Sequence, residues 1–457
     1  MIARCLGIAL VLICGGAWGA APALPKGLGG LGTAAPAAED TEAVDAMKSA
    51  LLRDLTLAGF VEGRVGLRTQ DDPNEDQATL GETRLQLRLE HADERLTARL
   101  TTDFLLDAVQ DQDQKGLDQT DGEGYVDTRE ASLAFRVGEH ADIKAGRQIL
   151  TWGTGDLIFI NDLFPKDWVS FLSGRDVEYL KAPSTSVRLA LFSDLADLDL
   201  VYTPRFEPDR YIDGDRLSFF NPFENRLVGE DDSLDTDVPD DWWRDDEFAL
   251  RLHRQLSGYQ FAAYGYRGYW KSPAGFDLSN GDGTFPALSV VGASVEGPLA
   301  AGIGNLEIGY YDSRDDRDGD DPAIRNSELR VLAGYRQELA RDLTLGLQYY
   351  LERMQDYDDY RDNLPAGNPS QDRNRHLLTT RLTKLALDQN LRLSLFVFYS
   401  PSDDDGYVRP IATFAVDDHW TLEGGANWFF GDEDHTFFGQ FEDNTNVYAA
   451  IRYSFAR

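Results

Sequence analysis

The chain has 457 residues, with 79 Asp and Glu against 44 Lys and Arg, and a formal net charge of −35. That excludes binding to nucleic acid by phosphate neutralisation, which needs a basic surface. Aromatic residues at 11% and hydrophobic residues at 42% also exclude a disordered acidic chain, which lacks the side chains of a core.

Met1 to Gly19 carries Arg4, an apolar run from Leu6 to Ile13, and small residues continuing through Ala20 and Ala21. This is the arrangement of a secretory signal peptide over residues 1–21, with cleavage after Gly19 or Ala21. Both cysteines, Cys5 and Cys14, fall inside it, so the mature chain is expected to have no thiol, disulfide or thiolate metal site. A lipoprotein reading of Cys14 is disfavoured by the bulky Ile13 before it. No later run approaches the ~20 apolar residues of a membrane-spanning helix. The mature chain is then periplasmic, secreted, or an outer-membrane barrel. Residues 22–53 read as a periplasmic linker, rich in Ala, Pro and Gly to Pro36. A short amphipathic helix capped by Thr41 follows, with Val44, Met47 and Leu51 on one side, read as a periplasmic lead-in with a plug of the barrel as the alternative.

From Leu55 the hydrophobic period is two. Leu55, Leu57, Val61, Val65 and Leu67 alternate with Thr56, Glu62, Arg64 and Arg68; Leu85, Leu87 and Leu89 alternate with Arg84, Gln86, Arg88 and Glu90. Successive strand side chains point to opposite faces, so one face is apolar and the other charged. Eighteen such segments are predicted: 55–68, 80–91, 95–106, 129–138, 141–149, 176–193, 197–206, 245–255, 258–270, 286–297, 303–313, 327–338, 342–354, 375–386, 390–400, 407–416, 419–431 and 444–455. Short turns and long loops alternate between them. An even strand count, two unequal rims and an outward apolar face define an all-β, transmembrane antiparallel β-barrel over residues 54–457. A sandwich would mix its turn lengths and a solenoid would show a fixed repeat. Trp270, Tyr349, Tyr399, Trp420, Trp428, Phe429 and Phe430 near strand ends suit an interfacial girdle. The last strand, ending at Phe455, looks like the C-terminal signal of bacterial outer-membrane proteins, with Ala456 and Arg457 following.

With the apolar face towards lipid, Arg64, Arg68, Arg84, Arg88, Arg95 and Arg99 point inward on the first three strands. Strands lie about 4.8 Å apart, so the six can form a pore-lining basic ladder. Guanidinium groups bind carboxylate and phosphate, which favours an anionic solute. The alternative is that these arginines pair with Glu62, Glu82, Glu90 and Asp103 and fix strand register. Between the fifth and sixth strands, Leu157, Ile158, Phe159, Ile160, Leu163, Phe164, Trp168 and Phe171 make a long loop too apolar for water. It is expected to fold into the barrel and narrow the pore, with one short helix between Asn161 and Phe171. Asp156, Asn161, Asp162, Lys166, Asp167 and Arg175 then face the opening, or else anchor the loop to the wall.

The stretch Gly146-Arg147-Gln148-Ile149-Leu150-Thr151-Trp152-Gly153, the infolded loop after it and the 18 strands resemble the porin superfamily that contains alginate-export and related solute-selective porins. The resemblance covers residues 55–455. It implies passive diffusion of a solute, in the alginate-export case a polyanion passing an arginine-lined constriction. Only Arg147 and Gln148 match that motif residue by residue.

The long connections hold 46 of the 79 acids and 13 of the 44 bases, so the rest of the chain is nearly neutral. That acidic rim reads as a solvated face, loosely binding divalent cations or bridging to lipopolysaccharide phosphates. An EF-hand around Gly319 is excluded, because Arg314 and Arg325 occupy its first and twelfth ligand positions. The six His are scattered, only His253 clearly facing the lumen, and no Gly-x-Ser-x-Gly, His-Glu-x-x-His or Cys-x-x-Cys-His motif is present. No cofactor and no enzymatic activity are expected. The reading is an outer-membrane porin for a small hydrophilic solute or oligosaccharide, anions slightly preferred, in contact with membrane lipid and lipopolysaccharide. The alternative is a non-conducting barrel that anchors a partner protein or surface polymer.

Overall fold

The computed structural model describes residues 55–110 and 122–456. The signal peptide and the linker with its short helix lie outside the described residues. Eighteen strands form the barrel: β1 Leu55–Arg68, β2 Ala78–Ala92, β3 Leu96–Asp107, β4 Val126–Val137, β5 Ala141–Gln148, β6 Ser184–Leu191, β7 Asp197–Thr203, β8 Glu247–Leu256 and β9 Tyr259–Tyr269. The second half comprises β10 Ala287–Leu299, β11 Gly302–Ser313, β12 Glu328–Ala340, β13 Leu343–Met354, β14 Asn374–Ala386, β15 Leu391–Ser400, β16 Asp405–Ala415, β17 Trp420–Phe430 and β18 Asn446–Ala456. Each strand pairs antiparallel with its neighbours in sequence, and β1 pairs with β18 from Ala58 opposite Ala456 to Arg68 opposite Asn446. Closure leaves no unpaired edge, a requirement for strands in lipid.

Exposure follows the alternation. Val65 is 61% exposed beside Arg64 at 2%, and Val291 is 63% exposed beside Val290 at 2%. The open face is apolar and the enclosed face carries the charges, which is the polarity of a barrel in a bilayer. One rim has tight turns: Ser257 and Gly258, with φ of 53° and 86°, join β8 to β9 in a two-residue hairpin whose twist matches the strands. The other rim carries the long connections. Trp420, Trp428, Tyr349 and Tyr399 face outward as expected of a girdle. Trp270 and Phe429 do not; they are 5% and 0% exposed and pack inside the barrel.

Three local expectations are corrected. The sixth strand begins at Ser184 rather than 176, because Asp176 accepts from the Glu178 N–H and caps a 3-10 turn over Val177–Leu180. The loop helix, α1, is Trp168–Ser173, later than the expected start at Asn161. A second helix, α2, spans Tyr357–Asn363 in an outer connection. A larger difference concerns the acidic connection 204–246. Its Phe206, Leu217, Phe219 and Val228 are buried, and a small hairpin of Phe219–Asn221 with Arg226–Val228 forms within it. This connection is an inserted element and only partly a solvated rim, since its exposed acids, Asp231, Asp232, Asp235, Asp237, Asp240 and Asp241, belong to its outer half.

Candidate pore and its constriction

The loop 149–183 leaves β5 at two fastened residues. Gln148, with no exposed surface, donates its side-chain amide to the Ser186 carbonyl at 3.0 Å. Arg147 donates to the Glu207 carboxylate and to the Thr128 carbonyl, both at 2.7 Å. Both residues therefore hold the base of the loop. Beyond them Trp152 packs edge-on against Phe164, ring centroids 4.9 Å apart.

The chain then crosses to the opposite wall. Glu307 on β11 is 2% exposed and accepts four hydrogen bonds from the loop. They come from the Thr154 N–H at 2.8 Å, Thr154 Oγ1 at 2.9 Å, the Asn161 N–H at 2.9 Å and Asn161 Nδ2 at 3.0 Å. One carboxylate thus pins both ends of the bend 154–161. Gln348 on β13 exchanges two hydrogen bonds with the Asp156 backbone, at 2.7 and 2.9 Å. The wall here is smooth because Gly292 on β10 and Gly309 on β11 lie opposite each other. A Cβ on Gly292 would strike Asn161 Oδ1, and one on Gly309 would lie 2.7 Å from Ile160 Cγ2.

The returning limb is fixed as firmly. Lys166 Nζ lies 3.0 Å from Asp162 Oδ1. Asp167 caps α1 by accepting from the Ser170 N–H at 2.6 Å. Arg175 pairs with Glu82 at 2.6 Å and donates to Ser170 Oγ at 3.0 Å. Arg409 donates to the Phe171 and Arg175 carbonyls, and Arg64 to the Gly174 carbonyl at 2.7 Å. Asn161, Asp162, Lys166, Asp167 and Arg175 are all buried, so they anchor the loop rather than face the opening. Trp152, Asp156, Leu157 and Phe159 remain partly open.

The basic ladder on the first three strands divides. Arg64 pairs with Glu62 and Glu423, Arg68 with Asp72 and lies 3.4 Å from the Glu75 carboxyl, and Arg84 pairs with Glu82 and Asp103, all three arginines buried. Arg99, partly open, pairs with Glu90 and Glu130. Burying a guanidinium requires a partner, and here the partners come from the same strand (Glu62, Glu82), the next strand (Asp103), the following connection (Asp72) and a distant strand (Glu423). Arg88 and Arg95 are exposed and make no ion pair among the described residues, Arg95 lying in the turn before β3. Arginines also line another part of the wall. There Arg336 and Arg381 flank Gly346 on successive strands, and Arg381 meets Asp156 of the loop at 2.9 Å. Arg392, four residues from Phe396 on β15, is also exposed. Among the described residues no group of three or more His, Asp or Glu is placed to hold a metal ion.

No family model matches the sequence, and no curated protein matches it either. Solved structures do match the fold. OccAB3 of Acinetobacter baumannii is 11% identical over 89% of this chain and 100% of its own, with a TM-score of 0.53. OccAB4 of the same organism is 9% identical over 88% and 98%, with a TM-score of 0.54. OccK5 (OpdH) of Pseudomonas aeruginosa is 10% identical over 89% and 99%, with a TM-score of 0.52. At such identities the likeness is one of fold. The chain shares their fold, a β-barrel closed by 18 antiparallel strands.

Proposed function

We propose that this protein is a porin through which small hydrophilic solutes or oligosaccharides diffuse passively, with anions slightly preferred. The observation that carries the reading is loop 149–183, laid across the lumen and pinned at Glu307, Gln348 and Arg381 on the far wall. A polar, water-filled lumen with one narrowed level sieves by size and charge. The anion preference rests on lumen-facing Arg88, Arg336 and Arg392, which are exposed, with Arg381 across Gly346 from Arg336. The acidic outer connections oppose it by drawing cations to the mouth at low salt.

A second reading is a non-conducting barrel that anchors a partner protein or surface polymer. It is favoured by how much of the lumen is filled: Phe398, Tyr407 and Phe429 stack in series at 5.7 and 4.6 Å, with Phe438 and Phe441 packed beside them. Single-channel recording in a planar bilayer separates the two. Steady ion conductance supports the porin, and deleting residues 154–172 should raise it. A silent wild-type barrel sinks the porin reading, and a cation preference at high salt sinks its anionic version.

A further inference from the structure

The outer connection 204–246 reaches into the lumen and grips the infolded loop at one place. Arg210 is buried and donates to both carboxylate oxygens of Asp127 on β4, at 2.8 and 3.0 Å. It also donates to Asp167, the cap of α1, at 3.2 Å. The backbones are joined as well: the Arg210 N–H donates to the Lys166 carbonyl at 2.8 Å, and the Trp168 N–H donates to the Arg210 carbonyl at 2.9 Å. Asp167 and Arg210 thus face each other in a single parallel β-bridge. Asp209 reinforces it by accepting from the Lys166 N–H at 2.7 Å and from Trp168 Nε1 at 3.1 Å. Gly122, at φ 78°, closes over the guanidinium, and a Cβ there would overlap it.

Glu207 of this connection holds the base of the loop through Arg147, and within the loop its hydrogen bonds fall on residues 166–168. On one side of that point the loop is held by Glu307, and on the other by Arg175 with Glu82. Asp127 and Asp167 are both buried and share the Arg210 guanidinium, with Arg129 a more distant second partner of Asp127 at 3.8 Å. A bidentate guanidinium fixes direction as well as distance, which a lysine at the same position would not.

We propose that Arg210 is the positioning residue of the constriction. The width of the passage is set by an outer connection bracing the infolded loop, and not by the barrel wall alone. The inference rests on the porin reading and deepens it: solute access at the outer mouth and the bore of the channel become mechanically one unit.

The test is single-channel recording of wild type, Arg210→Ala, and a double variant Asp167→Cys with Arg210→Cys. Partners in a β-bridge lie at a separation that a disulfide spans. The two native cysteines, Cys5 and Cys14, fall in the expected signal peptide, so no competing thiol is expected in the mature chain. Arg210→Ala should raise conductance about twofold and add open-channel noise as the loop loses its brace. The oxidised double variant should conduct like wild type, and a reductant added to the same membrane should move it to the Arg210→Ala level. The disulfide replaces the Asp167–Arg210 ion pair by a covalent link, so this arm is read within one assembled protein before and after reduction. A conducting wild type whose conductance is unchanged by reduction of the double variant overturns the brace alone. A silent wild type overturns the porin reading and the brace with it.

Discussion

Asp156, on the infolded loop, and Arg381, on β14, form an ion pair of 2.9 Å in which both side chains stay partly open to the lumen. Arg336 acts on the same carboxylate from two strands away. Removing either charge should therefore change selectivity in opposite senses. Asp156→Asn should increase the anion-to-cation permeability ratio, and Arg381→Gln should decrease it. A unit charge near 4 Å in solvent is worth about 1 kcal/mol, so each change should be no more than about fivefold. Reversal potentials in a salt gradient read both, and shifts of the same sign would reject this pair as the selectivity element.

Glu307 holds the loop by four hydrogen bonds through one buried carboxylate. Glu307→Ala leaves the donors of Thr154 and Asn161 without their acceptor and should destabilise the infolded state by about 3 kcal/mol. The expected result is a wider, noisier channel in a barrel that still shows heat-modifiable mobility on a gel. Unchanged conductance would show that the wall contacts at Gln348 and Arg381 suffice.

Gly292 tests the same seat by volume instead of charge. A methyl there would meet Asn161 Oδ1 and the Ile308 carbonyl, and overpacking of this kind costs roughly 1–3 kcal/mol. Gly292→Ala should loosen the bend 154–161, seen as faster protease cleavage within it in the folded barrel. Gly265→Ala, where an added Cβ meets open space, is the matched control and should leave cleavage unchanged.

Outside the membrane, burial pushes the Glu75 carboxyl up to about 8, Arg68 opposing and Asp72 and Glu230 adding to the rise. Between the ordinary value of 4.5 and about 8 the undocked connection is ionised while the docked one keeps its proton. Docking of residues 69–77 is then firmest below that window and weakens as pH rises through it. Proteolysis of this connection should quicken from about pH 5 to about pH 8, and Glu75→Gln should flatten the profile. An equal slope in Glu75→Gln would place the titration elsewhere.

The barrel was readable because each strand states its own facing: Val61, Val65 and Leu67 against Glu62, Arg64 and Arg68 need no distant partner to be interpreted. The infolded loop was readable for the same reason, its apolar run being unsuited to water. The chemistry inside was not. Arg64 pairs with Glu62 on its own strand, but its burial is completed by Glu423 and the Gly174 carbonyl, far away in the chain. Nothing in local spacing distinguishes it from Arg88, which stays exposed. The inserted connection 204–246 was hidden by its acids. Phe206, Leu217, Phe219 and Val228 were the available signal, but they are spread through a stretch whose Asp content dominates any average. Arg210 gave no local sign of its place between Asp127 and Asp167.

The seam between β1 and β18 has a consequence for how the molecule is made. Leu67 lies opposite Val447 and Gly59 opposite Phe455, so the ring joins the two ends of the barrel sequence and demands the most distant pairing the chain contains. Such pairings are the slowest to form. Several ties of the infolded loop, Arg64 to Gly174 and Arg452 to Asp176 among them, use residues of those two strands. These ties settle only once the ring is shut. Seating of the infolded loop is therefore coupled to closure of the sheet.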